Sequence, residues 1–184
     1  MSALLMVEDL RVRFPVRGSL PGQTRHIEAV AGVSLALAPG ETLGIVGESG
    51  SGKTTLARAI TGLTPVAAGS VRFRDRELVG LESRAWKGIR REVAMMFQDP
   101  VGSLSPRLTV RSLITEPFRI HGLKGRALDQ EAKRLLSMVG LSADFAGRFP
   151  FQLSGGQARR VGVARALALD PTLIIADEPT AGLD

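Results

Sequence analysis

The stretch TLGIVGESGSGKTTLARAITGL (42–63) decides the fold. Its centre, GESGSGKT (47–54), fits the pattern G-x-x-x-x-G-K-[ST]. The run TLGIVG (42–47) is short and nearly unbroken in its apolar character, as expected of a strand covered on both faces. After Lys53, the residues Leu56, Ala59, Ile60 and Leu63 recur at helical spacing, and Gly62 is placed to end that helix. Strand, glycine-lined loop and helix in this order make a phosphate cradle formed by Gly47, Glu48, Ser49, Gly50, Ser51, Gly52, Lys53, Thr54 and Thr55. Gly47, Gly50 and Gly52 permit backbone conformations that a β-carbon forbids, so successive N–H groups can point inward at phosphate oxygens. The helix N-terminus adds a partial positive charge. Lys53 adds a full one, and a unit charge pair 4 Å apart is worth about 4 kcal/mol at an effective dielectric near 20. Thr54 offers a hydroxyl to Mg²⁺, which prefers hard oxygen ligands. A glycine-rich turn with a solvated lysine is the plain alternative, and the flanking strand and helix weigh against it.

Outward from the cradle, PTLIIAD (171–177) and VAMMFQ (93–98) are further apolar runs of the same form. Ligand-binding groups in open parallel sheets gather beyond the carboxyl ends of the strands, which is where Asp177, Glu178 and Gln98 fall. Asp177 is a candidate Mg²⁺ ligand, directly or through water. Glu178, one residue further out, is the candidate to orient or deprotonate an attacking water. Gln98 has two readings: an amide that touches metal and water, or a glutamine that caps a loop.

Two more helices are legible. Leu128, Ala132, Leu135, Leu136 and Val139 form a stripe stopped near Gly140, with Asp129 and Lys133 four apart as a pair. Val161, Ala164, Leu167 and Ala168 form another that ends before Asp170-Pro171. The second is opened by FQLSGGQARR (151–160), where Ser154 is a good N-cap and Gly155 and Gly156 leave the first amides uncovered. That corner, Ser154 to Gln157, is a second anion-receptive helix end. Toward the N-terminus, 3–13 and 27–37 carry strand patterning around the loop PVRGSLPGQTRH (15–26), which predicts a hairpin or small antiparallel sheet. Strands alternating with helices point to an α/β fold with a mainly parallel sheet.

Composition narrows the function classes. With 44% hydrophobic and 23% charged residues in 184, a packed core is expected and disorder is not. The net charge of +6 comes from scattered arginines without a run of five or six, which argues for solvated faces and an anionic ligand over nucleic acid. No cysteine occurs, so disulfides and thiolate metal sites are excluded. No apolar run approaches the roughly 18 residues that span a bilayer, and the opening MSALLMVEDL lacks a basic signal region. A cytoplasmic location is the expectation.

GESGSGKTT, MMFQDP, LSGGQ, LIIADEP and AGLD, in this order, resemble the nucleotide-binding subunits of ABC transporters, matching the family's Walker A, Q-loop, signature, Walker B and D-loop. QDPVGSLSPRLTV (98–110) and EAVAGVSLALAPGETLGIVGESGSGKTT (28–55) look most like the ATPases of dipeptide, oligopeptide and nickel importers. Phe151, where that group often has His, and Ala158-Arg159-Arg160, in place of the commoner Arg-Gln-Arg, are mild departures. The resemblance implies a P-loop NTPase of RecA type. Its parallel core and N-terminal antiparallel β subdomain would be built from 1–98 and 161–184, with an inserted α-helical subdomain at 99–160. It implies ATP and Mg²⁺ as ligands and a second ABC ATPase subunit packed head to tail, so that one protomer's cradle and the other's LSGGQ grip the same ATP. It implies a membrane permease touched by the helical lobe, an external binding protein as an indirect partner, and a place on the inner face of the cell membrane. Phe14 is then the candidate to stack on adenine, a core phenylalanine being the other reading.

In the family a further strand with a switch histidine follows the D-loop, whereas His26 and His121 both precede LIIADEP. The expectation is therefore a part of a longer subunit whose last core strands are missing, with two central strands short of partners, or a product that folds poorly alone. The competing expectations are an ATP-holding module without turnover and a soluble ABC protein acting on nucleic acid.

Overall fold

Leu5, Val7, Leu10 and Val12 are buried along β1 (Leu5–Arg17), so the period-two alternation slips by one residue between Val7 and Leu10. The slip is a β-bulge, where pairing with β2 (Thr24–Leu37) shifts register and Asp9 holds a φ of 42°. The extra residue returns the apolar side chains to the core face. β3 (Ala68–Phe73) pairs antiparallel with the other side of β1, and β4 (Arg76–Glu77) follows, giving the order β2-β1-β3-β4. The computed structural model describes residues 3–17, 24–99 and 102–178. Part of the loop at 15–26 and the whole AGLD motif therefore lie outside the described residues.

The hairpin expected at the N-terminus is present, with longer strands than the pattern suggested. Pairing continues to Arg17 opposite Thr24, through Pro15 opposite His26. The ladder between β1 and β3 stops at Arg11, so beyond it β1 is an edge strand, the setting that tolerates proline. α1 (Lys53–Ile60) buries Leu56, Ala59 and Ile60. Its end is a Schellman turn in which Leu63 N–H donates to Arg58 O (2.8 Å) and Gly62 N–H to Ala59 O (3.1 Å). Gly62 holds φ +68°, and a β-carbon there would lie 2.2 Å from the Trp86 ring. Leu63, expected on the buried stripe, is exposed past this turn.

The clearest correction concerns TLGIVG (42–47). It was expected as a doubly covered strand, yet no strand pairs with it among the described residues, and Leu43, Ile45 and Val46 are exposed, Val46 by 95%. An apolar run becomes a strand only where neighbours take its N–H and C=O groups.

A carboxylate fixes the β3–β4 turn. Glu77 Oε1 accepts from the N–H groups of Val71 (3.0 Å), Leu78 (3.0 Å) and Val79 (2.8 Å), and the Ser70 hydroxyl donates to its other oxygen. Desolvation alone would raise this carboxyl's pKa, but the Ser70 hydroxyl and the three N–H donors outweigh it and hold the group below the usual carboxylate range. A pKa depressed in the folded state means stability that is present above the unfolded value and lost as pH falls through the folded one. Discounted for exposure, the bonds are worth about 1 kcal/mol. Glu77→Gln should thus lower the melting midpoint at pH 7 by roughly 2–4 °C, and the difference from wild type should shrink on acidification. An equal difference at every pH would contradict the assignment.

The elements so far belong to one unit, Met1–Trp86, and the rest of the chain to another, Lys87–Asp184. α2 (Ser83–Glu92) starts in the first and ends in the second. In the second unit β5 (Val93–Met96) and β6 (Leu173–Ala176) pair in parallel, Val93 opposite Leu173 through Met96 opposite Ala176. This pair is what the described residues form of the expected parallel sheet. β6 is not covered on both faces, since Ile174 is exposed. α3 (Val110–Ile120), α4 (Arg126–Met138) and α5 (Gly155–Leu167) pack around one core that includes Leu113, Ile114, Leu135, Leu136, Val161 and Ala164. That core runs past residue 160 to Ala168, and α5 is continuous across the expected boundary at 160/161. α4 ends in a second Schellman turn, with Leu141 N–H on Leu136 O and Gly140 N–H on Ser137 O. Asp129 does not serve an intrahelical pair with Lys133 alone, because its carboxylate accepts from Arg111 Nε of α3. An interhelical partner competes for an exposed acid that local spacing assigns to its own helix.

Candidate functional site

The loop before α1 closes on its own lysine. Lys53 Nζ donates to Gly47 O at 2.7 Å and Glu48 O at 2.8 Å, and Ser51 N–H turns back on Glu48 O. Gly50 and Gly52 hold φ of 80° and 95°. Gly47 does not share that conformation, and a β-carbon there would meet only the Ser51 side chain. Gly52 is the N-cap of α1, its carbonyl accepting from Leu56 N–H at 2.8 Å. No acid occupies the first turn, so the partial positive charge of Lys53, Thr54 and Thr55 amides is not offset by the helix itself. Glu48, Ser49, Gly50 and Ser51 are exposed. Loop carbonyls take two of the three ammonium donors in this state, and phosphate oxygens are the stronger, charged acceptors for it.

In the second unit Gln98 and Glu178, eighty positions apart, meet: Gln98 Nε2 donates to Glu178 Oε2 at 2.7 Å. Glu178 holds a φ of 49°, a left-handed conformation that costs a non-glycine residue energy and recurs at functional positions. Asp177 beside it is buried, 6% exposed, and its N–H extends the β5–β6 ladder to Met96 O at 3.0 Å. Gln98 is thus engaged with an acid across the parallel pair.

The Ser154–Gln157 corner is a complete capping box. The Ser154 hydroxyl accepts from Gln157 N–H, and Gln157 Oε1 accepts from Ser154 N–H at 3.0 Å. Accepting this bond leaves the Ser154 hydroxyl proton to be donated. Gly155 and Gly156 are exposed, and the first turn of α5 carries no acid. Phe14 stands on β1 opposite Ile27 with 41% exposure, which excludes the core reading.

Sequence patterning gives no role to Arg165 of α5. Its guanidinium nonetheless reaches Glu116 Oε2 of α3 at 2.7 Å and Ser103 O at 3.3 Å. Nothing local flags it, since both partners lie tens of residues away. The cradle belongs to the first unit, and the Gln98–Glu178 pair and the Ser154 corner belong to the second.

The family profile described as ABC transporter matches residues 30–181. The chain belongs to the ABC transporter family. Among curated relatives of this family member, the oligopeptide transport ATP-binding protein AppF of Bacillus subtilis is 45% identical over 98% of this chain and 56% of its own length. The oligopeptide transport ATP-binding protein OppF of Escherichia coli is 43% identical with the same coverage. The glutathione import ATP-binding protein GsiA of Salmonella paratyphi A is 45% identical, with 29% of that protein covered. The chain spans about half the length of the oligopeptide relatives it matches, 56% of each. Among solved structures, the dimeric post-hydrolysis state of the ATP-binding cassette MJ0796 bound to ADP and Pi shares the fold with a TM-score of 0.86 at 32% identity. That match covers 98% of this chain and 76% of the cassette. Among the described residues of this ABC family member no helix is long and apolar enough to cross a membrane.

Proposed function

We propose that the chain carries the nucleotide site of an ABC import subunit that hydrolyses ATP to move peptides through a membrane permease, nickel being the other cargo of the group it resembles. The observation that carries this reading is the glycine loop closed on the Lys53 ammonium at the start of a helix whose first turn holds no acid. In this reading the cradle from Gly47 to Thr55 grips the triphosphate, and Phe14, exposed on its strand, offers its ring to adenine. Thr54 of the first unit offers a hydroxyl, and Gln98 and Asp177 of the second an amide oxygen and a carboxylate, each a hard oxygen of the kind that would hold Mg²⁺. When bound, Mg²⁺ neutralises charge that develops on the phosphates. Glu178 takes a proton from a water whose oxygen bonds to the γ-phosphorus while the bridge to the β-phosphate breaks, leaving ADP and inorganic phosphate. Gln98 orients Glu178 through the bond between them.

The Ser154–Gln157 corner serves the nucleotide of a second, head-to-tail subunit, closing donors on the γ-phosphate and excluding water. The likeness to a cassette solved as a dimer supports this arrangement. The helical segment 99–160 then meets the permease at the inner membrane face, with an external binding protein acting indirectly. The relatives named for oligopeptide and glutathione transport support the peptide cargo.

The test is nucleotide titration and phosphate release with the purified chain and Mg²⁺. Wild type should bind ATP, and Glu178→Gln should bind equally while phosphate release falls by about 10²–10⁴-fold. Binding with no release from wild type, even after addition of permease and partner subunits, would reduce the chain to a nucleotide-holding module. Failure to bind would overturn the reading.

A further inference from the structure

We propose that Arg165 is a positioning residue for the Gln98–Glu178 pair, acting through the bonds of Ser103 and Asp99. The inference rests on the nucleotide reading above for its functional meaning, but its geometry stands within the second unit alone. Arg165 uses two arms of its guanidinium. Nη2 pairs with Glu116 Oε2 of α3 at 2.7 Å, and Nη1 donates to the Ser103 carbonyl at 3.3 Å. Both members of the ion pair are about two-thirds covered.

From Ser103 the contacts lead to the acid by direct bonds. Ser103 N–H donates to Asp99 O at 3.1 Å, and Gly102 N–H donates to Asp99 Oδ1 at 2.8 Å, so both residues are tied to Asp99. Asp99 is covalently next to Gln98, whose amide donates to Glu178. Glu178 is held from its own side by the β5–β6 ladder, which the Asp177 N–H continues. One partner of the Gln98–Glu178 bond thus sits at the end of a sheet, and the other beside Asp99, which is bonded to the Ser103 that Arg165 holds.

Why arginine is needed follows from its shape. A planar fork with five donors can satisfy a carboxylate and a carbonyl together, whereas a lysine ammonium is a single point charge on a flexible stem. Lysine at 165 would keep an ion pair with Glu116 and give up the arm to Ser103. The location of Arg165 adds a consequence. It stands on α5, ten residues after the first residue of the helix that Ser154 caps, about 15 Å along the axis. The same rigid helix therefore presents the LSGGQ corner at its N-terminus and braces Ser103 farther along. Catalytic groups displaced by about 1 Å can lose on the order of 10²-fold in rate, so such a brace matters for an acid that must meet a water.

The test reads the Gln98 side-chain amide in ¹⁵N-labelled chain without nucleotide. Its resonance is assigned by its disappearance in Gln98→Ala, and Glu178→Ala gives the position of the unbonded amide. Arg165→Lys should move the resonance more than half of the way to that position while circular dichroism shows the fold retained. Asp99→Ala, at an exposed position, should move it likewise, and Asp99→Asn, which keeps the Oδ1 acceptor, should restore the wild-type position. If Arg165→Lys does not fold, the two Asp99 variants decide. A resonance unmoved by a folded Arg165→Lys, or not restored by Asp99→Asn, overturns the proposal. Because no nucleotide is present, a chain that fails to bind ATP would sink the functional reading and leave this result to stand or fall separately.

Discussion

Replacing Lys53 with alanine is expected to weaken ATP binding by roughly 30–150-fold while lowering the melting midpoint by only a few degrees, for the two loop bonds it removes. The estimate comes from two opposed terms. A unit charge pair at about 4 Å contributes about 4 kcal/mol at an effective dielectric near 20. Against this, the ammonium gives up its bonds to Gly47 O and Glu48 O when phosphate arrives, each worth about 1 kcal/mol or less in net terms. The remainder is about 2–3 kcal/mol, and each 1.4 kcal/mol is tenfold. Alanine is the best helix former, so position 53 at the start of α1 accepts it without loss of helix. Calorimetric titration of ATP into both proteins, with thermal melts alongside, measures the two halves of the claim. Equal affinities would remove Lys53 from the site, and a collapsed melting curve would make it a structural residue.

Gly52→Ala should do the opposite kind of damage, to the fold first and to binding as a result. Gly52 holds φ +95°, and a β-carbon built on it would lie 2.3 Å from the Ala29 carbonyl oxygen of β2. The obstacle is backbone in a paired strand, so no side chain can swing aside. The left-handed conformation costs an L-residue about 1–2 kcal/mol, and forced overpacking adds about 1–3 kcal/mol. Together these consume much of the roughly 5–15 kcal/mol that holds a domain. Gly50→Ala is the control, because Gly50 also holds a positive φ, +80°, but has nothing within 4 Å of a built β-carbon. The control should lose roughly 2–8 °C in melting midpoint, and Gly52→Ala two to three times as much. Similar losses in the two variants would mean that steric contact with β2 plays no part.

How far the sequence could be read depended on the range of the interactions. α1 and α4 were legible with their glycine ends, because a Schellman turn needs only the last few carbonyls and a residue that tolerates positive φ. The Ser154 cap was legible for the same reason. α2 and α3 were not. α2 is dominated by charged residues around Trp86 and Ile89, and α3 contains Pro117, which interrupts the periodic pattern. The β1 pattern was readable only up to a slip, since the bulge at Asp9 takes its meaning from strands on both sides. TLGIVG reads as a strand by the same apolar run as PTLIIAD, yet has no strand partner among the described residues. Asp177 and Glu178 stood out as candidates for metal and water by their place at the end of an apolar run, whereas the bond between Glu178 and Gln98 was not legible.

The sequence by itself determined the local devices: the glycine loop with its lysine, the helix stripes and the caps that start and stop them. These depend on bonds between residues a few positions apart, so composition and spacing specify them. Tertiary structure alone decided which acid meets Gln98, which helix claims Asp129, where Arg165 reaches and whether an apolar run finds a strand beside it. The physical reason is that a side chain or an extended backbone can state what kind of partner it needs, but only the folded chain brings one of several equivalent partners within hydrogen-bonding distance.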